Sequence, residues 1–167
     1  MRGYRGLCRR AVLLAVFPGI LAIVRPGTAG GADWAVKTIP RPDGRGTQCV
    51  LESASRSLSD GYETTTVRII LDKTSVVIRS ASSLDESFRD IGLVVDEREI
   101  VPMDRLAGEK TALFDSKYAR LVEQFEKGAR VRVQLRFWPE WPATGQYSVT
   151  FSLMGFTRAH SALSACP

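Results

Sequence analysis

The stretch RVRVQLRFWPEWPATGQYSVTFSL, residues 130–153, carries the pattern on which the fold turns. Val131, Val133, Leu135 and Phe137 alternate with Arg130, Arg132, Gln134 and Arg136; farther on, Tyr147, Val149, Phe151 and Leu153 alternate with Ser148, Thr150 and Ser152. A period of two sends one set of side chains into a core and the other into water, which predicts a long antiparallel hairpin. Its tip holds two Trp-Pro pairs around Glu140. Proline fixes φ and cannot donate to a strand ladder, so this connection is stiff and blocks edge pairing.

Just before the hairpin the period changes. In DSKYARLVEQFEKG, residues 115–128, Tyr118, Leu121, Val122 and Phe125 fall at i, i+3, i+4 and i+7, one face of a helix. Asp115 or Ser116 is placed to cap its start, Glu123 and Lys127 to pair along it, and Gly128 to stop it. After the hairpin, Phe156, Ala159 and Leu163 share a face over 156–165, predicting a second short helix that delivers Cys166. Upstream, strands are expected at 34–39, from Cys49 to about Leu58, at Thr64–Leu71, at Ser75–Ser80 and at 91–95, with Ile100 and Val101 pairing back across the turn at 96–99. Ser59, Asp60 and Gly61 supply hairpin chemistry. The fold class is therefore mainly β: an antiparallel β-sandwich-like, β-rich α+β domain with two short amphipathic helices, a single domain over 33–167.

The first 32 residues read as a secretory signal: a basic start with Arg2, Arg5, Arg9 and Arg10, an apolar run from Ala11 to Val24 interrupted by Pro18 and Gly19, and small residues before a cleavage zone near 29–32. The run is shorter than the roughly 20 residues of a membrane span. No full motif surrounds Arg9 and Arg10, so general secretion is favoured over twin-arginine export, and the expected location is periplasmic or secreted, without a transmembrane segment after cleavage. Five arginines, the fifth being Arg25, leave with the signal; 23 basic residues less five leaves 18, against 18 acidic. A mature chain of zero net charge has no concentrated positive field for nucleic acid. Cys8 also leaves, and Cys49 and Cys166 most simply form one disulfide in an exported protein.

Several of these features together resemble a known family. A signal peptide, Trp34 opening the mature domain, the nearby Cys49, the central IGLVVD, a helix running into EKGARVRVQLRF and the closing FSLMGFTRAHSAL are similar to the invasion-associated locus B family of small exported bacterial proteins. The resemblance implies a largely β fold, an envelope location and a link to host-cell invasion or virulence, with no catalytic residues to carry over. The family commonly has a further cysteine pair ahead of the first helix, where this chain reads AGEKTALFDSKYARL.

No cofactor or metal site is implied: there is one histidine, His160, on the second helix beside no nucleophile elbow, and no phosphate-binding loop. The expected role is non-enzymatic interaction with an envelope or host protein or a glycan. Candidate contacts are Trp138, Glu140 and Trp141 at the tip, where one tryptophan can cover the core edge while the other faces out, or both can cap the sandwich. Arg130, Arg132 and Arg136 form a basic row on the wet face of the strand beside them. A carbohydrate- or peptide-binding module using the Trp-Pro loop is the alternative. A glycoside hydrolase-like enzyme using Glu140, with Asp96 or Glu97 approaching from another loop, is the second.

Overall fold

The protein is described by a computed structural model covering residues 33–41, 44–138 and 145–166. The segment 1–32, expected to be a signal, and Glu140 and Trp141 lie outside the described residues. Two antiparallel sheets face each other. The larger is built from β1 (Trp34–Pro40), β2 (Thr47–Ser53), β3 (Arg56–Ser59), β4 (Thr64–Leu71), β5 (Val76–Ser80), β8 (Arg105–Leu106) and β9 (Thr111–Phe114), in the order β1-β2-β4-β5-β9-β8 with β3 also on β4. In the smaller, β10 (Arg130–Leu135) lies between β11 (Tyr147–Ser152) and β6 (Gly92–Val95), and β6 pairs β7 (Val101–Pro102). The architecture is the expected β-rich α+β sandwich, completed by helices α1 (Tyr118–Lys127) and α2 (Phe156–Ser164).

The opening hairpin holds its register from Arg130↔Ser152 to Leu135↔Tyr147. Val131, Val133 and Leu135 are buried, as the alternation requires. Beyond Leu135 the strand leaves its partner: Arg136–Trp138 instead bond to residues 83–85, through Asp85 N–H to Arg136 O and Trp138 N–H to Ser83 O, both 2.9 Å. The same 81–85 segment reaches the larger sheet, where Leu84 N–H donates to Glu109 O at 2.7 Å. It is a strap between the sheets.

Two expectations are corrected. The segment from Cys49 to Leu58 is two strands, because β2 meets β4 at Glu52↔Ile70 and β3 meets it at Arg56↔Val67, leaving one extra residue between them. That bulge frees the Ile69 N–H, which donates to Ser53 Oγ at 2.9 Å. Gly128 stops α1 as expected, in an extended conformation with φ −93° and ψ 163°. Glycine is required there by space: a Cβ would lie 2.6 Å from Val95 Cγ1. Second, neither Asp115 nor Ser116 caps α1 with its side chain; the entry to the helix is pinned instead by a residue from elsewhere in the chain. Lys117 occupies the N-cap without a side-chain bond, while Asp104 from the β7–β8 turn accepts the Ser116 N–H (3.0 Å) and hydroxyl (2.6 Å) and pairs with Lys117.

Partial burial would raise the Asp104 pKa, but Lys117 and the two Ser116 donors outweigh it and hold it at about 2, against 3.8 for a free aspartate. A pKa depressed by folding contributes stability that is present above the unfolded value and drains as pH falls through the folded one. Asp104→Asn is therefore expected to lower stability near neutral pH by about 1 to 2 kcal/mol, after allowing for solvent on the outer oxygen. Denaturation between about pH 4 and pH 2 should show a shallower acid loss in the variant than in the parent; equal slopes would remove Asp104 from this role.

The core lies between the sheets and is closed at one end by the helices. Trp34 is 3% exposed and packs edge-on against Phe156, with centroids 5.0 Å apart, and at a tilt against Phe125 at 6.2 Å. Its indole N–H donates to Ser152 O across the sheets at 2.8 Å. Cys166, just past α2, forms a disulfide with Cys49 on β2, the Cα atoms 6.3 Å apart. That bond is the pairing expected of Cys49 and Cys166.

Candidate functional site

The β3–β4 hairpin turns through Asp60–Glu63, with Gly61 at φ +98°, a conformation that glycine enters without steric cost. Asp60 organises the turn. One carboxylate oxygen accepts the N–H groups of Tyr62 (2.9 Å) and Glu63 (2.8 Å), and the other accepts the Ser82 hydroxyl of the strap at 2.5 Å. The Glu63 N–H, the Ser82 hydroxyl and the Tyr62 N–H together hold the Asp60 carboxyl below the usual carboxylate range. Asp60 is thus an ionised, fully engaged fastener and unsuited to general-acid work. What it fastens is Tyr62, whose side chain stands 98% exposed at the tip.

Trp138 approaches the same place from β10. Alternation sends Phe137 inward, where it is buried and pairs with Leu84 in an isolated bridge, so Trp138 turns out and is 64% exposed. For Trp138 this decides against the capping role: Phe137 covers the core edge and the indole faces solvent. Tyr62 and Trp138 both line a groove of about 440 Å³ whose other walls include Asp60, Glu63, Ser82, Lys110 and Phe137. On its far side Trp138 also borders a second groove of about 420 Å³ with Asp85, Glu86 and Glu109. The arrangement is a two-ring aromatic ridge on fixed backbone, with a lysine and several carboxylates around it. Such a ridge can stack on a sugar ring or anchor a protein surface.

The arginine row shares one strand face as expected, yet its members do different things. Arg136 is half-buried and bidentate to Asp90, with contacts of 2.6 to 3.0 Å, and its guanidinium lies 4.3 Å from the Phe88 ring centre. The Arg136 bonds are the main cause holding Asp90 below its ordinary pKa, with partial burial opposing them. Arg132 reaches Glu97 at 3.6 Å. Arg130 is exposed, and its backbone N–H donates to Asp96 at 3.0 Å. Asp96 and Glu97 sit at the β6–β7 turn with φ of 44° and 62°, and Asp96 also accepts the Ala129 N–H. Arg136 and Asp96 are therefore internal fasteners, Arg132 is half-buried against Glu97, and Arg130 is the member left toward solvent.

His160 stacks on Phe156, with centroids 5.6 Å apart, and joins the helices through Nδ1 to Glu126 at 3.0 Å and a longer approach to the Tyr118 hydroxyl at 3.4 Å. Burial, then the carboxylates of Asp72 and Glu126, push the Tyr118 phenol up, so it keeps its proton and is no nucleophile near neutral pH. The trio is an interhelical clip. Among the described residues, no group of three His, Cys, Asp or Glu side chains is placed to hold a metal ion.

Sequence reasoning missed Tyr62, Lys110 and the strap. Tyr62 follows directly on the recognised Ser-Asp-Gly turn, and a large aromatic at a hairpin tip was the available signal; Lys110 and Ser82 join the site only through long-range packing.

No protein-family model matches the chain, and no curated protein matches it. Among solved structures the chain is similar to invasion-associated protein B from Bartonella henselae, with a TM-score of 0.52 and 15% sequence identity over 80% of this chain and 92% of that one. At that identity the likeness is one of fold, and it transfers no residue role.

Proposed function

We propose that this chain is an exported, non-enzymatic interaction protein of the bacterial periplasm or envelope, with a role in host-cell invasion akin to that named in its structural neighbour. Its recognition surface is the Tyr62–Trp138 ridge. The observation that carries this reading is the exposure of two large aromatic rings, 98% and 64%, on backbone fixed by Asp60 and by the strap, flanking one groove. Aromatic side chains have only two side-chain torsions to fix, so on a set backbone they lose little entropy when they dock, and they are enriched in binding hot spots. Export is supported by the basic, apolar and small-residue order of residues 1–32 and by the Cys49–Cys166 disulfide, a bond that persists in oxidising compartments. Among the described residues no helix is long and apolar enough to cross a membrane.

Trp138→Ala and Tyr62→Ala are each expected to weaken binding to solubilised envelope or host-surface fractions by about tenfold or more. Their circular dichroism and melting should match the parent, since neither ring is in the core. Undiminished binding in the double variant removes the ridge from the function. The acidic, aromatic lining of the groove favours a carbohydrate- or peptide-binding module as the second reading, with Glu140 and Trp141 adjoining in sequence. Titration with glycans followed by tryptophan fluorescence separates the two, because Trp34 is buried and insensitive. Turnover of a glycan that is lost in Glu140→Gln would make the protein a hydrolase instead.

A further inference from the structure

The larger sheet ends at β1, and that edge is open among the described residues. In an antiparallel pair successive residues point their backbone groups alternately toward and away from the partner strand. Asp33 O accepts the Ala54 N–H at 2.7 Å, which places Asp33, Ala35, Lys37 and Ile39 toward β2. Trp34, Val36 and Thr38 consequently present N–H and C=O to the outside, a row of donors and acceptors at strand spacing. Natural edges are commonly guarded by lysine or proline. Here Lys37 is drawn to Glu52 on the sheet face, and Pro40 blocks only the last position.

Alongside the edge runs a groove of about 460 Å³ between β1 and α2, lined by Trp34, Val36, Met154, Arg158, Ala159 and Ala162. Small side chains at 159 and 162 leave it room, and Met154, 82% exposed, overhangs it. Its only charged lining residue is Arg158, which meets no carboxylate among the described residues. Unpaired ladder groups select an extended backbone, an apolar trough selects alternate side chains, and a lone cation selects an acidic residue.

We propose that the β1 edge and the β1–α2 groove together form a docking site for an extended peptide segment, which adds as a further strand beside Trp34–Thr38, seats alternate apolar side chains on Ala159 and Ala162, and sets an acidic residue against Arg158. The surface is separate from the Tyr62–Trp138 ridge. Strand addition takes its affinity from main-chain hydrogen bonds and its selectivity from the pockets under alternate side chains.

The test uses the mature chain and a set of end-blocked, fluorescein-labelled heptapeptides in which valine and threonine alternate and one glutamate is walked through every position. Anisotropy should rise for members whose glutamate falls in one register, and Thr38→Pro and Val36→Pro should each weaken that binding about tenfold or more. Both prolines delete N–H groups that β2 does not use; Thr38 is exposed, so Thr38→Pro should keep the parent's melting, whereas Val36 also packs on the core and its variant is read for binding only where its melting shows it folded. Ala162→Trp, an exposed position on α2, should block the groove without touching the edge, Arg158→Glu should abolish the glutamate preference, and Trp138→Ala should leave peptide binding intact. Failure of every peptide to bind at millimolar concentration, binding indifferent to Ala162→Trp and both prolines, or concentration-dependent dimerisation lost in Thr38→Pro, which would make the occupant a second copy, overturns the proposal.

Discussion

A chain with both Cys49 and Cys166 replaced by serine is expected to unfold with a free energy lower by about 4 to 5 kcal/mol, read from guanidinium denaturation of the oxidised parent and the variant. The bridged residues are 117 positions apart, so the bond removes a large share of the conformations open to the unfolded chain. Their Cα separation of 6.3 Å lies within the ordinary range for disulfides. The native contacts around the bond are modest by comparison: Lys73 Nζ donates to Cys166 O at 2.7 Å at an exposed site, and Phe156 and Leu163 hold α2 by burial whether or not the bond is present. The variant should accordingly keep its fold in dilute buffer while its denaturation midpoint falls sharply. Reduction of the parent should reproduce the shift, and a midpoint within error of the oxidised protein would show that the crosslink constrains little.

Trp34→Ala is expected to lower stability by about 3 to 5 kcal/mol, the range for truncating a large buried aromatic. The ring touches both helices through Phe125 and Phe156, and its N–H ties β1 to β11 through Ser152. Removal therefore opens a cavity where the two sheets and two helices meet, and leaves a carbonyl without its partner. Trp34→Phe separates these effects: most of the packing survives, and the lost hydrogen bond should lower stability by about 1 to 3 kcal/mol. Equilibrium unfolding followed by circular dichroism measures both. An alanine variant within about 1 kcal/mol of the parent would show that the junction relaxes around the gap.

Short-range pattern was enough for the elements that lie in strong periods. The β10–β11 alternation, the Thr64–Leu71 strand and the apolar face of α1 all appear where their spacing puts them, because each pattern is long enough to have one burial solution. The shortest elements escaped: β8 and β9 have two and four residues, one and two periods, too few for alternation to separate from chance, although Ala112 and Phe114 are fully buried. The break between β2 and β3 was equally hidden, since a bulge depends on which residues the opposite strand offers.

For the candidate site the division is sharper. The residues alone offered Cys49 and Cys166 as a pair, and a period-two strand carried its arginines to the wet face. Which arginine is free was settled in space, by Asp90 lying beside Arg136, 46 positions away in the chain. The outward turn of Trp138 likewise follows from Phe137 finding Leu84 on the strap, and the groove exists because a hairpin turn some 75 residues earlier brings Tyr62 against it. Side-chain period is a property of the local backbone and can be counted along the chain. Exposure, pairing and free edges depend on which distant segment arrives to cover them, and that is decided by the packing of the two sheets.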